Sequence, residues 1–433
     1  DPLYKDLKKQ LKRIYTVLDE RDNEKDYSIT GDIPPLEIWD EACNSFFSSG
    51  SIIKMDKTLG IIGGGQLGKM ILSESNRMSL KTSVLDSNKN SPCKNLTNNF
   101  FVGDLNNYND VLEFGKKCDI ITFEIEHINV DALTELQKIG KKVYPKPETL
   151  SIIQDKSKQK KFYTENNLPT SEFKFYSNIN ELNNHVNDGK IDFPCVWKKT
   201  KFGYDGFGVK ILKSKSDILD LPDCEMIIED YVPFKKELAV IVARNLNGDI
   251  KTYETVEMEF NSDSNQVEFV ISPSRISNEL KERAKETAIE ATKKIDNIGL
   301  LAVEMFLTEN DEILINEVAP RPHNSGHFTI EACPTSQFEQ HLRSILNLPL
   351  GNTAHKNFAI MLNLVGDNGF DGNVFYENIE SAYNEANTHV HIYGKEKTRP
   401  NRKMGHITII CDKFEDAYSK AVYLKSKIKV KTL

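Results

Sequence analysis

Leu301-Ala302-Val303-Glu304-Met305-Phe306-Leu307, then Thr308-Glu309-Asn310-Asp311, then Glu312-Ile313-Leu314-Ile315-Asn316-Glu317-Val318 sets two apolar runs about a polar turn, the pattern of a β-hairpin. A turn centred on Asn310-Asp311 leaves Glu304 and Glu317 equally far from it, so the two become cross-strand neighbours on one face. Like charges so placed repel. Two carboxylates, with Asn316 beside them and phosphate oxygens from a nucleotide, are the oxygen ligands that magnesium takes. Glu304, Glu317 and Asn316 are therefore the candidate metal ligands. A register shifted by one would instead leave two glutamates on a solvent face. Ala319-Pro320-Arg321-Pro322-His323-Asn324-Ser325-Gly326-His327 follows and weighs against that. Two prolines stiffen it, and Arg321, His323 and His327 give it polar heads of little use in core packing.

The chain has 433 residues, 39% of them hydrophobic, enough for sizeable cores and more than one domain. Its net charge of −8 argues against nucleic acid as a partner, because a phosphate-backbone binder needs an extended basic face. The seven cysteines are scattered without metal-ligand spacing, which fits a reducing, cytoplasmic setting. No apolar run has the length of a membrane span.

Four segments are expected. Residues 1–54 form an extension of unknown role, partly helical because Leu3, Leu7, Leu11, Ile14 and Leu18 follow a helical stripe. Met55 stands just before the first strand of a recognisable unit, so the extension reads as appended or misassigned. Residues 55–150 begin β-α-β: a strand over 59–62, the loop Gly63-Gly64-Gly65-Gln66-Leu67-Gly68, a helix over 69–77 and a strand over 82–85 ending at Asp86. A later strand over 120–123 ends near Glu124 and Glu126, and a linker over 144–148 closes the unit. Residues 151–335 form a larger α+β region, and 336–433 a smaller α+β one. The loop matches a dinucleotide fingerprint, with Asp86 placed for a ribose. By itself it establishes only a tight turn into a helix whose amides favour an anion.

A second glycine loop, Gly203-Tyr204-Asp205-Gly206-Phe207-Gly208-Val209, follows a strand ending on Lys198. Three glycines in six residues suit a flap whose amides close over a triphosphate while Lys198 contacts its oxygens. Near the C-terminus Lys395, Lys397, Arg399, Arg402 and Lys403 place five cations in nine residues of an acidic chain, the composition of a phosphate site. Lys395, Arg402 and Lys403 are assigned to a substrate 5-phosphate.

In order along the chain, GGGQLG at Gly63, TFEIEH at Thr122, DKSKQK at Asp155, KKTKFGYDGFG at Lys198, NEVAPRPHNSGH at Asn316 and GKEKTRPNRKMGH at Gly394 closely resemble the ATP-grasp superfamily. Within it they resemble the 5-(carboxyamino)imidazole ribonucleotide synthases of purine (IMP) biosynthesis. The resemblance implies a Rossmann-like pre-ATP-grasp domain, a central ATP-grasp domain and a small C-terminal domain. It implies that Lys156 and Lys198 contact ATP phosphates, that Gly203 to Val209 is the flap, that Glu229, Asp230, Tyr231 and Val232 line the adenine site, and that Glu237 binds the ribose. Gln66, Leu67 and Glu124 would face aminoimidazole ribonucleotide. Phe207 stands where the family often has a basic residue for bicarbonate or carboxyphosphate, so Arg321 or Lys201 is expected to substitute, and Phe260 stands where some relatives have a histidine. Tyr204 and Asp205 are the candidates for orienting the reacting amine.

The implied chemistry is ATP- and bicarbonate-dependent carboxylation with magnesium, in a cytoplasmic homodimer linked functionally to a carboxyaminoimidazole ribonucleotide mutase. The alternatives are a formate-dependent glycinamide ribonucleotide transformylase of the same superfamily, an NAD-dependent oxidoreductase built on Gly63 to Asp86, and a non-catalytic ATP-binding subunit. His327 after Asn-Ser-Gly and His406 after Lys-Met-Gly favour the carboxylating branch.

Overall fold

Short apolar runs that end in glycine or a carboxylate build the first sheet. Its strands are β1 (Thr58–Ile62), β2 (Lys81–Asp86), β3 (Asn99–Val102), β4 (Ile120–Phe123) and β5 (Lys142–Val143), all parallel in the order β3-β2-β1-β4-β5. The computed structural model describes residues 57–433 except 202, 204–207, 262, 263, 265 and 356, so the expected N-terminal extension and part of the flap lie outside the described residues. β1 lies between β2 and β4, where the strand order reverses. The carboxyl ends of β1 and β4, at Gly63 and Glu124, therefore border the crevice where open α/β sheets hold ligands. Helix α1 (Gln66–Arg77) begins three residues earlier than expected, and the expected linker contains the start of a further helix, Pro147–Ile153.

A four-stranded antiparallel sheet follows, β6 (Phe173–Tyr176), β7 (Cys195–Lys199), β8 (Val209–Leu212) and β9 (Met226–Asp230), in the order β6-β9-β7-β8. Helix α2 (Lys156–Glu165) precedes it, started by Asp155, whose carboxylate accepts from the amides of Ser157 at 3.0 Å and Lys158 at 3.3 Å.

The largest sheet contains β10 (Phe234–Arg244), β11 (Ile250–Thr252), β12 (Val256–Phe260), β13 (Val267–Ser272), β14 (Gly299–Thr308), β15 (Ile313–Ala319) and β16 (Phe358–Val365). Beyond β17 (Gly372–Glu377), it is completed by β18 (Thr388–Ile392) and, after β19 (Lys397–Thr398), by β20 (Lys403–Cys411). The order is β15-β14-β10-β12-β13-β16-β20-β18, with β11 on β10. The sheet thus runs without a break across residue 336. β17, β19 and β21 (Lys429–Thr432) make a separate small sheet.

One face of the large sheet packs under helix α3 (Asn278–Lys294). Leu238, Val240 and Val242 of β10, Leu301, Val303, Met305 and Leu307 of β14, and Ile313, Ile315 and Val318 of β15 meet Ala284, Ala288 and Ala291 in one core cluster. Period-two alternation fills that face, and each fully buried side chain of this size contributes about 1.5–3 kcal/mol. The residues between them, Glu237 and Glu304, turn to the other face. Among the described residues no helix is long and apolar enough to cross a membrane.

Candidate active site

The hairpin expected from sequence is present, with Glu304 opposite Glu317, but the local geometry differs. The turn is tighter: the Thr308 amide donates to the Glu312 carbonyl at 2.9 Å, and Asp311 takes a left-handed φ of 62°. Met305 pairs with Ile315, Phe306 with Leu314 and Leu307 with Ile313. That register alone would set Glu304 opposite Asn316. A β-bulge at Asn316 moves the partner to Glu317. The shift of alternation is visible in the core, where Ile315 and Val318, three residues apart, lie in one cluster. The bulge turns Asn316 toward the same cavity as Glu317.

That cavity, of about 630 Å³, lies between the four-stranded sheet, the large sheet and the carboxyl ends of the first sheet. Glu304, Glu317, Asn316 and Glu237 line one wall. Lys156, at the start of α2, pairs with Glu317. Lys198 Nζ lies 2.9 Å from Asn316 Oδ1 and 3.1 Å from Glu229 Oε2. His323 Nε2 lies 3.1 Å from Glu304 Oε1. The Lys156 ammonium holds the Glu317 carboxyl down to about 2. Among the described residues Glu237 has no such partner: burial, then the charges of Glu304 and Glu317, push it up to about 8. Burial also opposes ionisation of Glu229, but Lys198 and Lys160 hold it below its usual range.

Lys160 was given no role by sequence reading. It is 2% exposed and reaches Thr170 Oγ1 at 2.7 Å, Ser171 Oγ at 2.8 Å and Glu229 Oε2 at 3.3 Å. Its signal is its position one helical turn after Lys156 in Asp155-Lys156-Ser157-Lys158-Gln159-Lys160. Phe234 and Phe306, also not singled out, stack at 4.7 Å on the cavity wall, beside Val196, Ile211 and Val318. This is an apolar slot next to the lysines.

The remaining expected residues divide into three groups. Gly203, Val209, Glu229, Asp230, Tyr231 and Val232 line the cavity, as do Gln66, Leu67, Glu124, Arg321, Phe260 and Lys403. Gly208 lies behind the wall, where its carbonyl accepts from the Lys199 amide at 2.9 Å. Tyr204, Asp205, Gly206 and Phe207 lie outside the described residues. Lys395 and Arg402 are not on the lining: Lys395 Nζ donates to the Lys403 carbonyl at 2.7 Å, and Arg402 to the Lys397 carbonyl at 2.5 Å. Arg321 enters the cavity against Glu126, with Nε 2.7 Å from Oε1. Lys201 stands apart from the lining, 3.7 Å from Asp155 Oδ2.

The first glycine loop corrects one expectation. Its amides do not await a phosphate, because Glu124 fills them: Oε1 accepts from Gly65 at 2.6 Å and Oε2 from Gly68 at 2.9 Å. Asp86, expected on a ribose, instead accepts from the Gly64 amide at 2.6 Å. Burial pushes the Glu124 carboxyl up while these amides pull it down. Gly68 is required by packing, since a Cβ there would lie 2.8 Å from the Gly63 carbonyl oxygen. The loop is thus a turn whose Gly64, Gly65 and Gly68 amides are taken by the protein's own carboxylates.

A carboxylate hairpin, converging lysines and an apolar slot between two antiparallel sheets, beside a parallel sheet, define an ATP-grasp ligase. Residues 161–338 match the ATP-grasp domain family, 55–154 the ribonucleotide synthetase preATP-grasp domain, and 359–420 the phosphoribosylaminoimidazole carboxylase C-terminal domain. The chain is 37% identical over 370 residues to the N5-carboxyaminoimidazole ribonucleotide synthase of Bacillus subtilis, covering 84% of this chain and 93% of the relative. The crystal structure of the Thermotoga maritima N5-carboxyaminoimidazole ribonucleotide synthetase superposes with a TM-score of 0.80 at 40% identity, over 87% of this chain and 100% of that one. The Aspergillus clavatus N5-carboxyaminoimidazole synthase, in complex with ADP and 5-aminoimidazole ribonucleotide, gives 0.78 at 32% identity, over 86% and 98%. The chain belongs to the N5-carboxyaminoimidazole ribonucleotide synthase family, ATP-dependent ligases of purine biosynthesis. It spans about two thirds of the length of the phosphoribosylaminoimidazole carboxylase of Saccharomyces cerevisiae, 40% identical over 86% of this chain and 66% of the relative.

Proposed function

We propose that this chain carboxylates the exocyclic amine of 5-aminoimidazole ribonucleotide, using ATP and bicarbonate and releasing ADP and phosphate. The observation that carries this reading is that one cavity joins the Glu304–Glu317 hairpin and its lysines to Gln66, Leu67 and Glu124 at the strand ends of the parallel sheet. ATP would lie with its base along Glu229 to Val232 and against the Phe234–Phe306 stack, its ribose at Glu237 and its phosphates at Lys156 and Lys198. The donor set fits magnesium bound together with a nucleotide. Two opposed carboxylates and the bulged Asn316 amide are hard oxygen ligands, and no cluster of three or more His, Cys, Asp or Glu among the described residues could hold a metal alone. Bound there, magnesium would neutralise charge on the transferring phosphoryl group.

Bicarbonate attacks the γ-phosphorus, giving carboxyphosphate and ADP, while Lys156 and Lys198 hold the phosphate oxygens in line. Carboxyphosphate releases carbon dioxide and phosphate, and the substrate amine attacks the carbon and loses a proton. Arg321, fixed by Glu126, is the cation proposed for the carbonate oxygens in place of the basic residue missing at Phe207. Tyr204 and Asp205 on the flap are proposed to orient the amine, and Lys403, with Lys395 and Arg402, to receive the 5-phosphate. Excluding water matters because carboxyphosphate hydrolyses.

Cytoplasmic residence, a homodimer and a mutase acting on the product belong to the same proposal. The product is a carbamate, and the mutase would move its carboxyl group from nitrogen to carbon. The test is ADP formation from MgATP and bicarbonate with and without aminoimidazole ribonucleotide. Stimulation by this substrate supports the reading, whereas stimulation only by formate and glycinamide ribonucleotide would assign the transformylase reaction.

A further inference from the structure

We propose that His327 is a neutral hydrogen-bond donor, its proton fixed on Nε2 by Gln337, and that it contacts an oxygen of the sugar phosphate of the ribonucleotide. This rests on the function proposed above.

The Gln337 side chain is fully buried, and its orientation is set by two backbone groups of one residue. Its Oε1 accepts from the His323 amide at 2.9 Å, and its Nε2 donates to the His323 carbonyl at 2.8 Å. A backbone amide only donates and a carbonyl only accepts, so the amide cannot be flipped. The same Nε2 lies 3.1 Å from His327 Nδ1. An amide NH₂ has only hydrogens to offer, so Nδ1 is the acceptor and the ring proton is on Nε2.

Gly326 permits this arrangement. A Cβ there would lie 2.6 Å from Gln337 Oε1 and 2.2 Å from Ile241 Cδ1. Behind the ring, His406 packs at 4.7 Å, with His391 stacked on it at 4.4 Å. His327 is 1% exposed, yet it lines the cavity beside Asn324 and Lys403. Its Nε2 has no hydrogen-bond partner among the described residues and, unlike the Nε2 of His406, is not sealed from the cavity, so it is open to an acceptor on a bound ligand. Burial, then the charges of His323, His391, Lys403 and Arg321, hold the imidazole well below its ordinary range, and His406 and Tyr393 are the other titratable groups packed near the ring. The ring therefore gives a directed donor without adding a cation, next to Lys403, which supplies the charge.

The test uses the full chain labelled with [15N]histidine. Long-range proton–nitrogen spectra report the tautomer, and the His327 signals are those lost in His327→Gln. Wild-type turnover with aminoimidazole ribonucleotide is measured first, so a failure of the functional reading shows there, whereas the tautomer is read without substrate. The expected spectrum is a neutral ring protonated on Nε2. His327→Leu should raise KM for the ribonucleotide about tenfold with KM for ATP unchanged. His327→Gln, which keeps an N–H near the Nε2 position, should stay within about threefold. Repeating the comparison with the dephosphorylated nucleoside separates two acceptors: a persisting loss assigns the sugar and a vanishing one the phosphate. A ring protonated on Nδ1, a doubly protonated ring, or an unchanged ribonucleotide KM in a folded His327→Leu would overturn the proposal. If that variant does not fold, the wild-type spectrum still decides.

Discussion

Glu304 and Glu317 stand opposite each other only because Asn316 is bulged out of the register between Glu317 and Ile315. The same bulge puts the Asn316 amide within 2.9 Å of Lys198. One irregular residue thus makes three oxygen ligands share one cavity, where the regular register would send Glu317 into the core.

Removing either carboxylate should stop phosphoryl transfer while leaving the fold intact. Glu317→Ala is expected to lower ATP turnover about 100-fold or more, with a circular dichroism spectrum like that of the parent. Turnover near the parent's would refute the assignment of Glu317 to the metal.

Glu124 predicts a behaviour that a substrate contact alone would not. In Glu124→Ala the amides of Gly65 and Gly68 lose their acceptor, which should destabilise the protein by about 1–3 kcal/mol. A small anion could then occupy the vacated helix start. Melting curves with and without sulfate should show recovery in the variant and little change in the parent. A variant as stable as the parent would contradict the closure of the loop by Glu124.

Lys160 is a buried cation whose loss leaves Glu229 with Lys198 alone. Lys160→Met should cost about 3 kcal/mol in urea unfolding, near the low end for breaking a buried pair because Lys198 remains. A change below about 0.5 kcal/mol would show that Lys160 contributes little.

Glu237, beside Glu304 and Glu317, also gives stability a pH dependence. The Glu237 carboxyl, pushed up to about 8 from an ordinary 4.5, keeps its proton in the folded state where the unfolded chain has lost it. Its contribution therefore falls as pH rises between those values. Positive charge brought by magnesium with ATP should draw the carboxyl back down. Measured relative to a Glu237→Gln variant, the melting temperature of the free protein should then decline from about pH 5.5 to about pH 8, and MgATP should raise it more at the upper end. An equal MgATP shift at both ends would count against the carboxylate cluster.

The pairing of Glu304 with Glu317 was reached by counting about a turn centred on Asn310-Asp311; in the structure the loop closes one position earlier and the bulge restores the same pair. The bulge was not legible, since it comes from the tight Thr308–Glu312 closure and from packing Ile315 and Val318 on one face. The glycine loop was legible as a turn, but its acceptor arrives from Glu124 on another strand, a tertiary partner that local pattern does not contain. The basic stretch read as one phosphate site. In the fold Lys403 is on the cavity wall, while Arg402 and Lys395 rest on backbone carbonyls, because a β-strand and the loop before it point neighbouring side chains in different directions.

The central claim is that bicarbonate itself takes the phosphoryl group, and oxygen transfer tests it directly. With [18O]bicarbonate, MgATP and aminoimidazole ribonucleotide in ordinary water, the phosphate released should carry one 18O atom, delivered through carboxyphosphate. Phosphate without the label, formed at the same rate, would mean that water attacks ATP and would contradict the account.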